Sequence, residues 1–250
     1  MGIAVLVCLV LASVVALAIT DRLRKRKEHK PEREDGSALD YVNTFISTLY
    51  VVLLALIVVV QWQNVDQINS DVGSEASTLT ALVQTADRMP GHEGVVVHDS
   101  AIDYAKAVLA DEWPPPADTT GDGAAKALDT GEAAVTHPVG LQTSLGTIED
   151  QAIGEYQTLA ETRADRLAVS TSRTSPILLI ALGILSLITV LTPLALGLRA
   201  DTIAFTGLLV STLLVCLAFW LVLDLDSLYH GVIHADSTPL SQFLAAPGSN

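Results

Sequence analysis

Four long runs without a charged residue constrain this chain of 250 residues more than any other feature. A helix needs about 20 mostly apolar residues to cross the hydrocarbon core of a bilayer, so such runs predict transmembrane helices. The runs lie within residues 1–20, 44–62, 177–198 and 205–223. The sequence therefore predicts an all-α integral membrane protein with four transmembrane helices.

The first run, residues 1–20, has the length of a secretion signal but not its flanking residues. No basic residue precedes it, and a basic cluster follows it at once. A signal peptide carries its basic residues before the apolar region. We therefore interpret residues 1–20 as an uncleaved transmembrane anchor.

The segment 21–43 indicates how the chain is oriented. Seven of the 14 Lys and Arg residues lie between Arg22 and Arg33. Short loops rich in Lys and Arg stay in the cytoplasm. We expect a multi-pass protein of the plasma membrane with the segment 21–43 and the short loop 199–204 inside. The N-terminus, the segment 63–176 and the tail 224–250 are then expected to be extracytoplasmic.

Five basic side chains at the start of this segment have a second expected role. Membrane lipids are predicted partners, because anionic headgroups attract basic segments beside a membrane span. The side chains are Arg22, Arg24, Lys25, Arg26 and Lys27.

The segment 63–176 is acidic, with 18 acidic and six basic side chains in a chain of net charge −14. Nucleic-acid binding needs Lys and Arg against the phosphates, so this composition argues against a nucleic-acid partner. Apolar residues recur at helical spacing, and no stretch alternates with the period of two that is typical of a strand. We expect a helical extracytoplasmic insert between the second and third spans.

Within this insert, the second span is expected to continue as one long helix to about Pro90, where Pro and Gly interrupt it. Shorter helices are expected over residues 99–112 and 124–134. From Leu141 a long helix is expected to return towards the membrane, with no helix-breaking residue before Pro176.

Several segments together resemble a bacterial membrane family of unknown function that is described as bestrophin-like. They are the basic link after the first anchor, FISTLYVVLLALIVVVQWQNVDQI, YAKAVLADEWP, RADRLAVS and LDLDSLYHGVIHADSTPLSQFL. Their order and spacing fit over roughly residues 20–245. The resemblance implies four spans with a helical insert in a bacterial cell-envelope protein, and it supplies no catalytic activity.

A more distant resemblance links the second span to the pore helix of bestrophin anion channels. That helix reads approximately Phe-x-x-Gly-Phe-Tyr-Val. Phe45, Tyr50 and Val51 match it in spacing, while Thr48 and Leu49 stand in the places of the glycine and the second phenylalanine. The resemblance implies an ion channel in which this helix lines the pore.

Three hydroxyl side chains share one face of the second span, because Thr44, Ser47 and Thr48 are three and four residues apart. In a pore, such hydroxyls hydrate an ion beside an apolar constriction. The alternative is hydrogen bonding or close packing between helices of a membrane bundle. The predicted pore lining comprises Thr44, Phe45, Ser47, Thr48 and Tyr50, and a pore of this kind requires a homo-oligomer.

Three possible metal ligands follow the fourth span at intervals of four residues: Asp226, His230 and His234. On a helix they would share a face, and Asp and His bind zinc and other transition metals. The alternative is an ordinary polar segment beyond a membrane span, and Gly231 weakens a helix there. These residues form a candidate metal site, and no cofactor is predicted.

No G-x-S-x-G, phosphate-loop or H-E-x-x-H motif occurs, so we do not expect an enzyme. Two function classes remain. The first is an oligomeric ion channel or pore, whose acidic insert would favour cations. The second is a non-catalytic envelope scaffold or sensor that binds partners through its outer helices.

Overall fold

The fold is described from a computed structural model. The structure describes residues 36–113, 122–136, 146–172, 174–195, 202–226, 228–229 and 233–246. The first predicted span lies outside these residues. So do His230 and the predicted lipid contacts Arg22, Arg24, Lys25, Arg26 and Lys27.

Seven α-helices form the described part of the chain, which contains no strand, so the predicted all-α fold is confirmed. They are α1 (Gly36–Ala86), α2 (His92–Asp111), α3 (Asp122–Thr136), α4 (Gly146–Thr171), α5 (Pro176–Ala195), α6 (Thr202–Leu225) and α7 (Thr238–Ala245).

Helix α1 continues without a break from the second predicted span into the acidic segment. It contains 51 residues. At 1.5 Å per residue it is about 75 Å long, more than twice the thickness of a hydrocarbon core. The chain turns after it at Gly91, which adopts a φ of 85°. Few residues other than glycine adopt this conformation, so the predicted interruption near Pro90 coincides with a turn that glycine permits.

The chain divides into two compact units and passes between them at three places. The membrane unit contains the described residues 36–62 and 174–226, and the bundle unit contains the described residues 63–172 and 228–246. Each unit has a hydrophobic core of its own.

Apolar side chains from every helix of the bundle unit meet in one core. Members of this core include Val65, Ile68, Val72, Leu79, Leu82, Val97, Tyr104, Val108, Leu128, Val135, Tyr156, Leu159, Leu240 and Phe243. On each long helix they recur at intervals of three and four, which places them on one side. Burying a side chain of this size stabilises the fold by about 1.5–3 kcal/mol.

The C-terminal segment folds onto the bundle unit. Leu240 and Phe243 of α7 are buried in its core, and α7 packs against α2. Before α7, the Asp236 backbone N–H donates to Asn69 Oδ1 at 2.8 Å. Pro239 lies in the first turn of α7, where a missing N–H costs no hydrogen bond. Residues 233–246 therefore complete the bundle core.

The membrane unit has a small core in which Tyr50 and Ile57 of α1 pack with Leu182 of α5 and Val222 of α6. Many large apolar side chains on these helices are exposed. Helical stretches able to cross a membrane by length and composition are Tyr41–Ala86 and Gly146–Thr192, with Leu209–Leu225 as a shorter apolar helix. Of the four predicted spans, the described chain thus contains two such stretches and this shorter helix.

Candidate functional site

Within the membrane unit, α1 has a buried face and an exposed face. Tyr50, Ile57 and Gln61 are at most 5% exposed and lie at intervals of seven and four residues. The exposed side chains recur at intervals of three and four on the other side of the helix. They are Tyr41, Val42, Thr44, Phe45, Thr48, Leu49, Val51, Val52, Ala55, Leu56, Val59, Val60 and Trp62. This exposed face can contact lipid or a second copy of the chain.

The predicted pore-lining residues are divided between these two faces. Thr44, Phe45 and Thr48 are exposed, and Phe45 is 61% exposed. Ser47 is partly buried, and Tyr50 is buried in the core of the membrane unit. Successive residues of a helix are rotated by about 100°, so five neighbouring positions cannot all face one way. The exposed face presents the first three to the surroundings of the chain.

The hydroxyl of Thr48 is satisfied within its own helix. Its Oγ1 donates to the Thr44 carbonyl oxygen at 2.8 Å. This is the common bond of a threonine to the carbonyl four residues earlier. A hydroxyl that donates in this way keeps its oxygen lone pairs as acceptors. The exposed face of α1 therefore includes a hydroxyl oxygen that can still accept a hydrogen bond.

Gln61 connects α1 with residues beside the start of α5 and the end of α6. Its amide is 2% exposed, and its Nε2 donates to Asp226 Oδ1 at 2.7 Å and also to the Thr174 hydroxyl. The Thr174 backbone N–H donates to the same Asp226 oxygen at 3.1 Å. A buried amide without partners costs about 1–3 kcal/mol. This cluster therefore links α1, the start of α5 and the end of α6.

The two candidate metal ligands that the structure describes, Asp226 and His234, belong to different units. Asp226 accepts two of the three hydrogen bonds of the Gln61 cluster, and His234 is exposed in the bundle unit. No group of three or more His, Cys, Asp or Glu side chains within the described ranges could hold a metal ion. Metal binding by Asp226, His230 and His234 stays a prediction.

A network of buried charges crosses the bundle unit. Arg166 of α4 is fully buried; its Nε donates to Glu75 Oε1 at 2.6 Å and its Nη2 to Glu112 Oε2 at 2.7 Å. Arg163, one turn earlier, donates to Glu112 Oε1 at 2.6 Å. Tyr104 of α2 donates its hydroxyl to Glu75 Oε2 at 3.0 Å. Two guanidinium groups and two carboxylates thus connect α1, the end of α2 and α4.

Burial and charge pairing act against each other in this network. Burial raises the pKa of Glu75, although Arg166 and the Tyr104 hydroxyl oppose that rise. Burial lowers the pKa of Arg166, but Glu75, Tyr104 and Glu112 outweigh this effect and leave it above its ordinary value. Buried pairs add little net stability, whereas the loss of one partner costs about 3–5 kcal/mol. The network therefore fixes how these helices pair.

The charges of the acidic segment entered the sequence analysis only as a net charge, so this network was missed. Composition cannot distinguish a buried glutamate from an exposed one. The resemblance did contain a signal, because its segments include most residues of both polar clusters, although not Glu75 or Thr174. YAKAVLADEWP contains Tyr104 and Glu112, RADRLAVS contains Arg163 and Arg166, and the two membrane segments contain Gln61 and Asp226.

Comparison with protein families matches residues 7–240 to the Bestrophin-like domain. Comparisons with curated proteins and with solved structures found no match. The matched region includes all described helices from α1 to α6 and the start of α7. With the apolar helices of the membrane unit, this match indicates a membrane protein. The chain belongs to the Bestrophin-like family.

Proposed function

We propose that the chain is a non-catalytic, oligomeric ion channel in which the α1 helices of several copies surround the ion path. The observation that carries this proposal is the exposed face of α1. It combines Thr44 and Thr48 with apolar side chains such as Phe45 and Val52. Apolar constrictions gate pores by excluding water, and hydrogen-bonding groups that line a pore contribute to its selectivity.

A preference for cations follows from the charge of the insert. The segment 63–176 carries 18 acidic and six basic side chains. An acidic surface beside a pore entrance raises the local concentration of cations and lowers that of anions. We therefore expect cation flux to exceed anion flux.

The bundle unit has two parts in the sequence, residues 63–172 and 228–246. The proposed orientation places both of them outside the cytoplasm. Leu240 and Phe243 share a core with Leu79 and Leu82, which supports a topology with these two parts on the same side of the membrane. The chain between residues 172 and 228 must then cross an even number of times. Two crossings, by α5 and α6, satisfy this condition and support the four-span topology.

The test is ion flux from liposomes that contain the purified protein, measured for potassium and for chloride. Thr48→Leu removes the hydroxyl from the exposed face of α1 and is expected to abolish potassium flux or to change its ratio to chloride flux. The matched control is Thr192→Leu in α5. Thr192 also donates to the carbonyl four residues earlier, at 2.7 Å, but lies outside the proposed lining.

Each result of this comparison has one meaning. Flux lost with Thr48→Leu and kept with Thr192→Leu supports the pore and locates its lining. Equal loss in both variants indicates general damage to the membrane unit and contradicts a specific role for Thr48. Absence of flux from the correctly inserted wild-type protein contradicts the channel.

The second candidate function is an envelope scaffold or sensor, and the continuity of α1 favours it. The same helix belongs to the bundle unit beyond residue 62 and to the membrane unit before it. An unbroken helix is suited to transmit a rigid-body shift from a partner bound to one unit. Silent liposomes, combined with capture of a defined partner by the bundle unit of the full-length protein, would favour this function.

A further inference from the structure

Asp71 is a buried carboxylate whose hydrogen bonds are all on one oxygen. It lies on α1 in the bundle unit, one turn before Glu75, and is 7% exposed. Its Oδ1 accepts a hydrogen bond from Gln67 Nε2 at 2.8 Å. Its Oδ2 is buried and receives no hydrogen bond from any described residue.

Arg166, whose charge acts on Asp71, donates no hydrogen bond to Asp71 Oδ2. Arg166 uses Nε for Glu75 and Nη2 for Glu112, and its Nη1 has no acceptor among the described residues. Asp165, the neighbour of Arg166 on α4, adds a further negative charge near Asp71. An ionised carboxylate that is buried with an unsatisfied oxygen is costly, and it avoids the cost by taking up a proton.

The charge balance of the network also favours a protonated Asp71. Arg163 and Arg166 are already balanced by Glu75 and Glu112, which they contact directly. Asp71 is a third carboxylate, near enough to Arg166 to be affected by its charge but not in contact with it. A proton on Asp71 leaves this buried group of charges neutral, whereas an ionised Asp71 leaves it with one unpaired negative charge.

We propose that Asp71 is a proton-binding site of the bundle unit and that the proton resides on Oδ2, the oxygen that Gln67 does not contact. Burial raises the pKa of Asp71, the hydrogen bond from Gln67 lowers it, Asp165 raises it and Arg166 lowers it, with a net rise. Tyr104 and Glu112 face the neighbouring Glu75 from the α2 side. The site does not depend on ion conduction, so it stands whether or not the chain is a channel.

Because the pKa of Asp71 is raised in the folded state, protonation of Asp71 stabilises the fold. The folded state holds the proton more tightly than the unfolded state, so the contribution is present at acidic pH. It is lost as the pH rises through the folded-state pKa. Asp71→Asn, which mimics the protonated form, should therefore stabilise the protein at neutral pH and make little difference at acidic pH.

The experiment measures the Tm of the bundle unit in the full-length protein in lipid nanodiscs. We expect the Tm of Asp71→Asn to exceed that of the wild type by about 2–4 °C near neutral pH, and the difference to shrink as the pH falls. The control is Asp66→Asn, an exposed carboxylate on the same helix, which should not change the dependence of Tm on pH. A lower Tm for Asp71→Asn than for the wild type at neutral pH would overturn the proposal.

A direct measurement keeps the proposal testable if Asp71→Asn does not fold. The infrared carbonyl band of a protonated aspartic acid, followed in the wild-type protein, should appear as the pH falls. It should shift to lower pH in Asp165→Asn, because that variant removes the neighbouring negative charge. If the band does not respond to Asp165→Asn, or if no such band appears before exposed carboxylates titrate, Asp71 is not the proton-binding residue.

Discussion

Arg166 is fully buried and forms ion pairs with two carboxylates, Glu75 and Glu112, that are themselves buried. Arg166→Met keeps much of its volume but leaves Glu75 and Glu112 without this partner. Arg163 still contacts Glu112. We expect the variant to lose about 3–5 kcal/mol of unfolding free energy. Chemical denaturation followed by circular dichroism measures this loss.

The control for this prediction is Lys106→Met on α2. Lys106 is 62% exposed and lies 4.0 Å from Asp103, and such surface pairs contribute at most about 1 kcal/mol. Comparable losses in the two variants would show that the network does not hold the bundle together.

Gly131 of α3 lies against Ser100 of α2 and Tyr156 of α4. An added Cβ would overlap Tyr156 Oη and Ser100 Oγ, which are hydrogen-bonded to each other at 2.6 Å. Gly131→Ala is expected to destabilise the bundle by about 1–3 kcal/mol, because the helices must separate or the hydrogen bond must break. Thermal unfolding monitored by circular dichroism tests this.

Gly154→Ala on α4 provides the comparison for Gly131→Ala. No atom lies within 4 Å of its added Cβ, so alanine should stabilise the helix by about 0.5–1 kcal/mol. Destabilisation by both alanines would contradict crowding as the cause of the loss in Gly131→Ala.

At the scale of single elements, α7 depends on two side chains for its position. Leu240 is fully buried and Phe243 is 8% exposed, whereas Ser241 and Gln242 between them are exposed. Leu240→Asp is expected to detach α7 and to cost about 2–5 kcal/mol, since it combines a lost apolar contact with a buried charge. Ser241→Asp should change stability by less than about 0.5 kcal/mol.

Limited proteolysis distinguishes these two variants. Release of α7 in Leu240→Asp should expose the segment before it to cleavage, while Ser241→Asp should remain as resistant as the wild type. Equal resistance in all three proteins would show that α7 does not need Leu240 to stay on the bundle.

Helices were predictable wherever apolar periodicity was strong and long. The predicted continuation of the second span to about Pro90 corresponds to α1, which ends at Ala86. The predicted helix over 99–112 is observed as His92–Asp111, and that over 124–134 as Asp122–Thr136. Helix ends depend on turns such as the one at Gly91 rather than on periodicity, so they shifted by up to seven residues.

Two features were not predicted, one because it is short and the other because it depends on a contact between distant residues. Helix α7 has eight residues, too few for periodicity to identify, although Thr238 and Pro239 followed by Leu240 and Phe243 contain a weak helix-start pattern. The pairing of Arg166 with Glu75 joins residues 91 positions apart. Only the folded chain shows which charges are buried.

At the scale of the whole molecule, the shared core of residues 63–172 and 228–246 makes a prediction about sidedness. Cysteines introduced at the exposed positions Asp103 and Gln242, with Cys8 and Cys216 replaced by serine, should both react with a membrane-impermeant maleimide added to intact cells. A cysteine at Arg26 should react only after the cells are opened. Labelling of the first two from opposite sides would contradict the proposed topology.

The participation of α7 in the bundle core also affects how the protein is made. Because side chains from Val65 to Phe243 share that core, it cannot close until the ribosome has passed residue 243 and the intervening apolar helices have reached the bilayer. Until then the surface of α2 that α7 covers is open to chaperones and proteases. Contacts between residues so distant in sequence form slowly. The yield of this protein should therefore depend more on late assembly than on membrane insertion.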